Sequence, residues 1–510
     1  MDRRGFLELS VAATLGSALP FGRAWTQAVA GEVRAARAGG EATAIAASDL
    51  EQLRQSLRGA LLLPGDAGYD PARKVRNEAI DRHPALIVQP SGVADVRTAV
   101  DFARARDLLL AVKCGGHSYG GTSTCDGGLQ LDLAPLRGVR IDPVARRALV
   151  GGGSLLGDLD HEAMAVGLVT TAGTVSHTGV GGLTLGGGFG RLGRRFGLAA
   201  DNLVAVDVVT ADGQSRRASA RENPDLFWGV RGGGGNFGVV TAFEFDLHPM
   251  QREVVGGSLV FPIARARELL EAYAEISRTA PPELYLDAVM SARTGGRPGV
   301  FLFGACYSGP PAEAERALAP LRRLGTPISD TLRTIDYVAL QRSTDQTDAR
   351  AEGRYLRSGF VDAFEPELAR VVVEGFEADP ARNSTVFFQH CGGRIAEHAT
   401  DATAFPHRKA QVNMFATTSW PLAEDGTRHA RYVQDYWRTL EPYTNGFYTV
   451  EVADEPATVV ERNYQGNLAR LQQVKDKYDP TNLFRLNANV RPTATPRRSL
   501  RRPGARAVPA

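Results

Sequence analysis

Glycine clustering constrains this chain more than any other feature. Many of the 56 glycines among its 510 residues fall into three runs. These are Cys114-Gly115-Gly116-His117-Ser118-Tyr119-Gly120-Gly121, then Gly179-Val180-Gly181-Gly182-Leu183-Thr184-Leu185-Gly186-Gly187-Gly188-Phe189-Gly190, then Arg231-Gly232-Gly233-Gly234-Gly235-Asn236-Phe237-Gly238. Without a Cβ, the backbone can take positive φ and a ligand can approach main-chain N–H groups. Such loops after strands can cradle a pyrophosphate; taken singly, they also serve as turns or bulges. The third run contains Gly233-x-Gly235-x-x-Gly238, formally a dinucleotide fingerprint, which requires a helix to follow it. Instead Val239-Val240-Thr241-Ala242-Phe243-Glu244-Phe245 alternates and is β-branched, which predicts a strand and removes the Rossmann reading. No P-loop Gly-Lys-Ser/Thr and no His-Glu-x-x-His occurs, so nucleotide-hydrolase and zincin chemistry are excluded as well.

Around these loops, residues 86–249 alternate short β-rich runs with helical stretches. Ala85-Leu86-Ile87-Val88 reads as a strand, and residues 93–106 place Val93, Val96, Val100 and Ala103 on one helical face. Residues 108–112, 130–133, 147–150 and 204–210 read as further strands, the last ended by Asp212-Gly213. Between residues 250 and 443 the glycines thin out. Amphipathic stretches at 264–280 and 311–324 alternate there with strand-like runs at 300–303 and 410–417, which predicts a second α/β unit on an antiparallel sheet. Residues 446–492 are again compact and include a helix at 468–478 stopped by Asp479-Pro480. The last segment, 493–510, carries five arginines and reads as a flexible basic tail.

With 43% hydrophobic and 23% charged residues the chain can bury a sizeable core, and a net charge of +2 gives no nucleic-acid-binding face. The four cysteines, Cys114, Cys125, Cys306 and Cys391, form no C-x-x-C pair; Cys114 and Cys125 are either bridged across a short loop or free. At the N-terminus, Arg3-Arg4-Gly5-Phe6-Leu7 precedes a small, apolar, uncharged stretch, which reads as a twin-arginine export signal over residues 1–30, with cleavage after Ala24 or Ala30. The apolar stretch is shorter than the roughly 20 residues a stable membrane span needs. The partner implied is the twin-arginine machinery, and the destination the periplasm or the exterior.

The three runs, together with Gly197-Leu198-Ala199-Ala200-Asp201-Asn202, Asn223-Pro224-Asp225-Leu226-Phe227-Trp228-Gly229-Val230 and Arg470-Leu471-Gln472-Gln473-Val474-Lys475-Asp476-Lys477-Tyr478-Asp479-Pro480-Thr481-Asn482-Leu483-Phe484, resemble the berberine bridge enzyme-like FAD-linked oxidases of the vanillyl-alcohol oxidase type. The resemblance implies an α+β fold: a two-part PCMH-type FAD-binding domain, at 50–249 and 446–492, interrupted by an α/β substrate domain at 250–445 built on an antiparallel sheet. It implies FAD bound covalently through His117 and cradled by Gly115, Gly116, Ser118, Gly120, Gly121, Thr174, Thr178, Gly179, Gly182, Gly186, Gly187, Val240 and Asn467. A neutral imidazole is a nucleophile, and a glycine loop lets it reach the ring edge. Many relatives add a cysteinyl link four residues before the Gly-x-Gly-Gly segment. Val175 stands there, so a single bond is expected.

Oxidising a C–H next to oxygen or nitrogen needs a base, and the resemblance implies a tyrosine: Tyr464 first, with Tyr119 and Tyr448 as further candidates. Two departures stand out, Tyr448-Thr449-Val450 in place of Tyr-x-Asn and Gln465 where a glycine often follows the tyrosine. The stretch Gln411-Val412-Asn413-Met414 offers amides and no carboxylate where some alkaloid-oxidising relatives place an acidic base, so the resemblance implies a tyrosine base and an alcohol or sugar-like substrate over an amine. The expected activity is that of an oxidase passing electrons to O2; a dehydrogenase using another acceptor, or an amine or alkaloid oxidase, is the alternative.

Overall fold

The computed structural model describes residues 32–292, 298–345, 352–451 and 455–494; the expected export signal and tail residues 495–510 lie outside the described residues. Apolar Leu86-Ile87-Val88 forms the strand Leu86–Gln89, which pairs in parallel with Leu129–Asp132, itself parallel to Leu110–Lys113. Parallel neighbours need a crossover. The helix Val93–Ala105 carries the chain from Leu86–Gln89 across to Leu110–Lys113 on the far side of Leu129–Asp132, burying Val96, Ala99, Val100 and Ala103. The chain already folds upstream of residue 50: the hairpin Glu32–Ala36 with Ala42–Ala46 leads into the helix Ala47–Ser56, and Ala35, Ile45, Leu50 and Leu53 share this sheet's core.

A second sheet is antiparallel, in the order Ser215–Ser219, Leu203–Val209, Val239–Asp246, Arg147–Gly151, Val139–Asp142. The strand after the third glycine run is therefore present, and no helix opens there. The helix Leu468–Tyr478 returns to this body, burying Leu471, Val474 and Tyr478 beside Trp228 and Phe237. Lys475, fully buried, anchors it. Its ammonium donates to the Asp479 carboxylate at 2.7 Å and to the carbonyls of Asn236 and Phe484 at 2.8 Å each, so all three protons are used. An unpaired charge at that depth would cost several kcal/mol. Paired in this way, it clamps the C-terminal segment to the third glycine run.

Between these two parts lies an eight-stranded sheet whose pairings are all antiparallel. Its strands Ser384–His390 and Val412–Pro421 pair with Phe387 opposite Phe415. Strand side chains alternate between faces. Val386, Phe388, Met414 and Ala416 sit in the core beneath residues of the helices Ala266–Thr279, Pro366–Glu377 and Thr427–Leu440. Thr385, Phe387, Gln389, Phe415 and Thr417 occupy the opposite face. All four cysteines are free thiols, so Cys114 and Cys125 are not bridged. Burial pushes the Cys125 thiol up to about 12. Among the described residues no helix is long and apolar enough to cross a membrane, and no cluster of three His, Cys, Asp or Glu side chains forms a metal site.

Candidate active site

A cavity of about 530 Å³ opens where the glycine runs meet the uncovered face of the eight-stranded sheet. That volume is within the usual range for cofactor and ligand sites. The first two runs touch backbone to backbone at its wall. A Cβ on Gly115 would lie 2.3 Å from the Gly179 nitrogen, and one on Gly179 would lie 2.4 Å from the Gly115 nitrogen. His117 follows this crossing by two residues and His177 precedes it by two, and their rings meet: Nε2 of His117 lies 2.9 Å from Nδ1 of His177. A fourth run, Gly151-Gly152-Gly153, was not singled out from the sequence. Gly152 lines the cavity, and a Cβ on Gly153 would fall 1.8 Å from the Leu133 carbonyl oxygen.

The cavity's wall fits a large polar ligand that the chain does not itself supply. A Cβ on Gly182, which lines it, would meet nothing within 4 Å, so no protein contact demands glycine there. Ser123 Oγ and Thr449 Oγ1 also line it, buried and without a hydrogen-bond partner. Buried hydroxyls are nearly always paired, so these two mark places where a ligand's polar atoms belong. Glycine-walled space with unspent donors is the form an FAD cradle takes.

Most of the residues expected from the sequence meet here. His117, Gly115, Gly116, Ser118, Thr174, Thr178, Gly179, Gly182 and Val240 line the cavity, as do Tyr119, Tyr448 and Tyr464, with Val175 where a second link would stand. Five expected residues do not. Gly186 and Gly187 are close-packed, with a Cβ meeting Val450 at 2.4 Å and Phe405 at 3.1 Å respectively; on Gly121 it would meet Ile80 at 2.5 Å. Gly120 is not among the lining residues, and the Asn467 amide is spent on the carbonyls of Thr400, Thr403 and Ala404. These shape the loops from behind. His390 and His407 are buried away from the cavity, the first on the Ser277 carbonyl and the second stacked on Phe360.

The electrostatics distinguish the groups that could act as base. The Tyr464 hydroxyl donates to the Ala488 carbonyl at 2.9 Å, and burial drives its pKa further above the ordinary phenol value. The Tyr448 hydroxyl accepts from the Gly188 amide at 3.0 Å, and burial raises it likewise. Both shifts oppose a phenolate. A carboxylate that sequence reasoning passed over stands among them. Glu451 lines the cavity, and desolvation raises its pKa from 4.5 to about 7, against the lowering influence of Asn413 and Ser358. Asn413 Nδ2 lies 3.3 Å from Glu451 Oε2 and 3.3 Å from Gln389 Oε1, so the amide strand expected to lack an acid in fact holds one from a neighbouring segment. The signal was available three residues beyond Tyr448, but the desolvation that raises this half-buried carboxyl is a tertiary property. On the sheet face opposite, Phe387 and Phe415 stack at 4.7 Å and 12°, flanked by Thr385, Thr417 and Gln389.

The family described as FAD binding domain matches residues 84–219, and that described as berberine and berberine like matches residues 450–491. An FAD-linked oxidoreductase of Dictyostelium discoideum is 32% identical over 445 residues, 86% of this chain and 96% of its own. The (R)-6-hydroxynicotine oxidase of Paenarthrobacter nicotinovorans is 30% identical over 455 residues, 86% of this chain and 97% of its own. Among solved structures, 6-hydroxy-D-nicotine oxidase from Arthrobacter nicotinovorans superposes with a TM-score of 0.79 at 28% identity, covering 85% of this chain and 98% of that one. A chitooligosaccharide oxidase shares the fold, with a TM-score of 0.79 at 24% identity over 87% of this chain and 99% of its own.

Proposed function

The chain belongs to the berberine bridge enzyme-like FAD-linked oxidoreductases, and from that premise we propose that it is an oxidase acting on a carbon next to oxygen in a small hydroxylated substrate, with dioxygen as acceptor and hydrogen peroxide as product. One observation carries the reading: His117 and Glu451 line the same glycine-walled cavity, beneath a sheet face where Thr385, Gln389 and Thr417 present neutral hydrogen-bonding groups beside the guanidinium of Arg354. Bound FAD supplies the two-electron acceptor. His117 tethers it, and Val175 leaves the tether single. Glu451 takes the substrate's O–H proton, a role suited to a group that titrates near neutrality. The Phe387 and Phe415 stack offers a flat apolar surface to a ring, while Thr385, Thr417 and Gln389 offer uncharged donors and acceptors to its hydroxyls. That chemistry favours an alcohol or sugar-like substrate. A second reading, oxidation next to nitrogen, has the 6-hydroxynicotine oxidase relative in its favour. Export by the twin-arginine route, read from Arg3-Arg4-Gly5-Phe6-Leu7, completes the proposal, since that route carries proteins already loaded with cofactor.

The test begins with acid precipitation of the purified protein and of His117→Ala. Yellow colour kept in the wild-type pellet and lost from the variant supports the single histidyl tether; colour kept in both assigns the bond elsewhere. Oxygen uptake with sugars, alcohols and secondary amines then separates the substrate classes. A substrate that bleaches the flavin without consuming oxygen identifies a dehydrogenase instead.

A further inference from the structure

His177 has no part in the chemistry described so far, yet the fold goes to some length to fix it. The two loops cross at Gly115 and Gly179 with no room for a side chain, and His117 and His177 stand two residues from that crossing on opposite loops. Their rings lie 4.9 Å apart with Nε2 of His117 on Nδ1 of His177 at 2.9 Å. The loop bearing His177 is pinned at each end. Ser176 donates its backbone N–H to Asp345 at 2.9 Å and its hydroxyl to the same carboxylate, and the Ser176 carbonyl accepts from Gly157 at 2.8 Å. Further back, Gln341 donates to the Gly173 carbonyl at 2.7 Å, and Thr344 and Arg191 donate to that of Thr174. A loop so restrained leaves His177 little choice of position.

We propose that His177 is a positioning residue and proton acceptor for the covalent attachment of FAD to His117, an inference that rests on the histidyl tether proposed above. With its proton on Nε2, His117 donates to Nδ1 of His177, which orients the imidazole and directs bond formation to Nδ1 of His117. One C–H of the flavin 8α-methyl group and one N–H of His117 are replaced by one C–N bond. The methyl proton goes to solvent, and the imidazole proton passes from Nε2 of His117 to Nδ1 of His177. The two electrons remain on the flavin and reduce dioxygen, so that dioxygen and the two protons leave as hydrogen peroxide. A base already in contact with the departing proton makes the nitrogen more nucleophilic as it attacks.

The experiment uses the full-length chain produced without flavin in a riboflavin-requiring host, then mixed with FAD in air. Covalent incorporation is followed over time by flavin fluorescence in denaturing gels and by intact mass, and non-covalent binding by the visible spectrum. His177→Ala and His177→Gln are expected to bind FAD but to attach it about 10²-fold more slowly, the low end of what a positioned base contributes. Added imidazole should restore the rate in the alanine variant and leave His117→Ala unattached. Attachment at the wild-type rate in both His177 variants overturns the inference while leaving the tether standing. Slow attachment that imidazole does not rescue, accompanied by weakened non-covalent binding in both variants, overturns it too, since the residue would then only shape the loop. A wild-type protein that releases all its flavin on denaturation defeats the tether itself, a separate outcome.

Discussion

Replacing Glu451 by glutamine should slow the enzyme and stabilise it at the same time, with the second effect growing as the pH rises from about 4.5 to about 7. Desolvation raises the carboxyl from 4.5 to about 7. A rise of about 2.5 pH units, at about 1.36 kcal/mol each, means that the folded state disfavours the ionised form by about 3 kcal/mol relative to the unfolded chain. For an acid raised on folding, the associated stability is complete below the unfolded value of 4.5 and is lost as the pH climbs through about 7. Glutamine has nothing to ionise. The variant should therefore match the wild type near pH 4.5 and exceed it by up to about 3 kcal/mol at pH 8, read as a difference in Tm between flavin-loaded samples at the two pH values. In turnover the sign reverses. The amide keeps the hydrogen bond from Asn413 but cannot accept a proton, and loss of a general base costs about 10² to 10⁴ in kcat/KM. Wild-type kcat/KM should itself fall about tenfold per pH unit below about 7, and the variant's residual rate should lack that limb. A variant that retains the acid limb, or whose stability advantage does not grow with pH, would refute the assignment of Glu451 as both the desolvated acid and the base.

Two glycines separate ligand space from packing. Gly182→Ala adds a methyl that meets no protein atom inside the helix Val180–Leu185, so the flavin-free chain should melt no lower than wild type, alanine being favoured in helices by about 1 kcal/mol, while FAD titration shows weakened binding. Gly190→Ala, whose Cβ would fall 1.5 Å from the Ala172 carbonyl oxygen, should instead fail to yield soluble protein. Tyr464→Phe removes one of two donors to the Ala488 carbonyl, the Asn236 amide being the other, and should cost about 0.5 to 1.5 kcal/mol in denaturant titration, leaving kcat unchanged; a collapse of kcat with stability intact would return the base to tyrosine.

The first part of the fold was readable because its signals are local. The alternation at residues 239–245 gave the strand and removed the Rossmann alternative, and the helical spacing from Val93 gave the crossover. The order of the eight-stranded sheet was not readable, since its neighbours are brought together by long connections that no short-range pattern encodes. In the site, the glycine loops and His117 announced themselves by composition. Glu451 and His177 did not: an acidic residue beside a tyrosine, or a histidine in a loop noted for lacking cysteine, becomes chemical only when Asn413 and His117 are folded against it. The expected tyrosines line the same cavity, and there burial moves the phenols of Tyr448 and Tyr464 away from ionising, a consequence of packing that the sequence does not carry.

The eight-stranded sheet divides its labour residue by residue. Along Ser384–His390 and Val412–Pro421, Val386, Phe388, Val412, Met414, Ala416 and Trp420 belong to the core under three helices, while Thr385, Phe387, Gln389, Phe415 and Thr417 look into the cavity. A change at Thr385, Gln389 or Thr417 alters what the cavity admits without touching Val386, Phe388, Met414 or Ala416, on which the fold depends. Selection for a new substrate can therefore proceed on one side of the sheet while selection for stability acts on the other, and a lineage built on this plan can diversify its chemistry without first accumulating a reserve of stability.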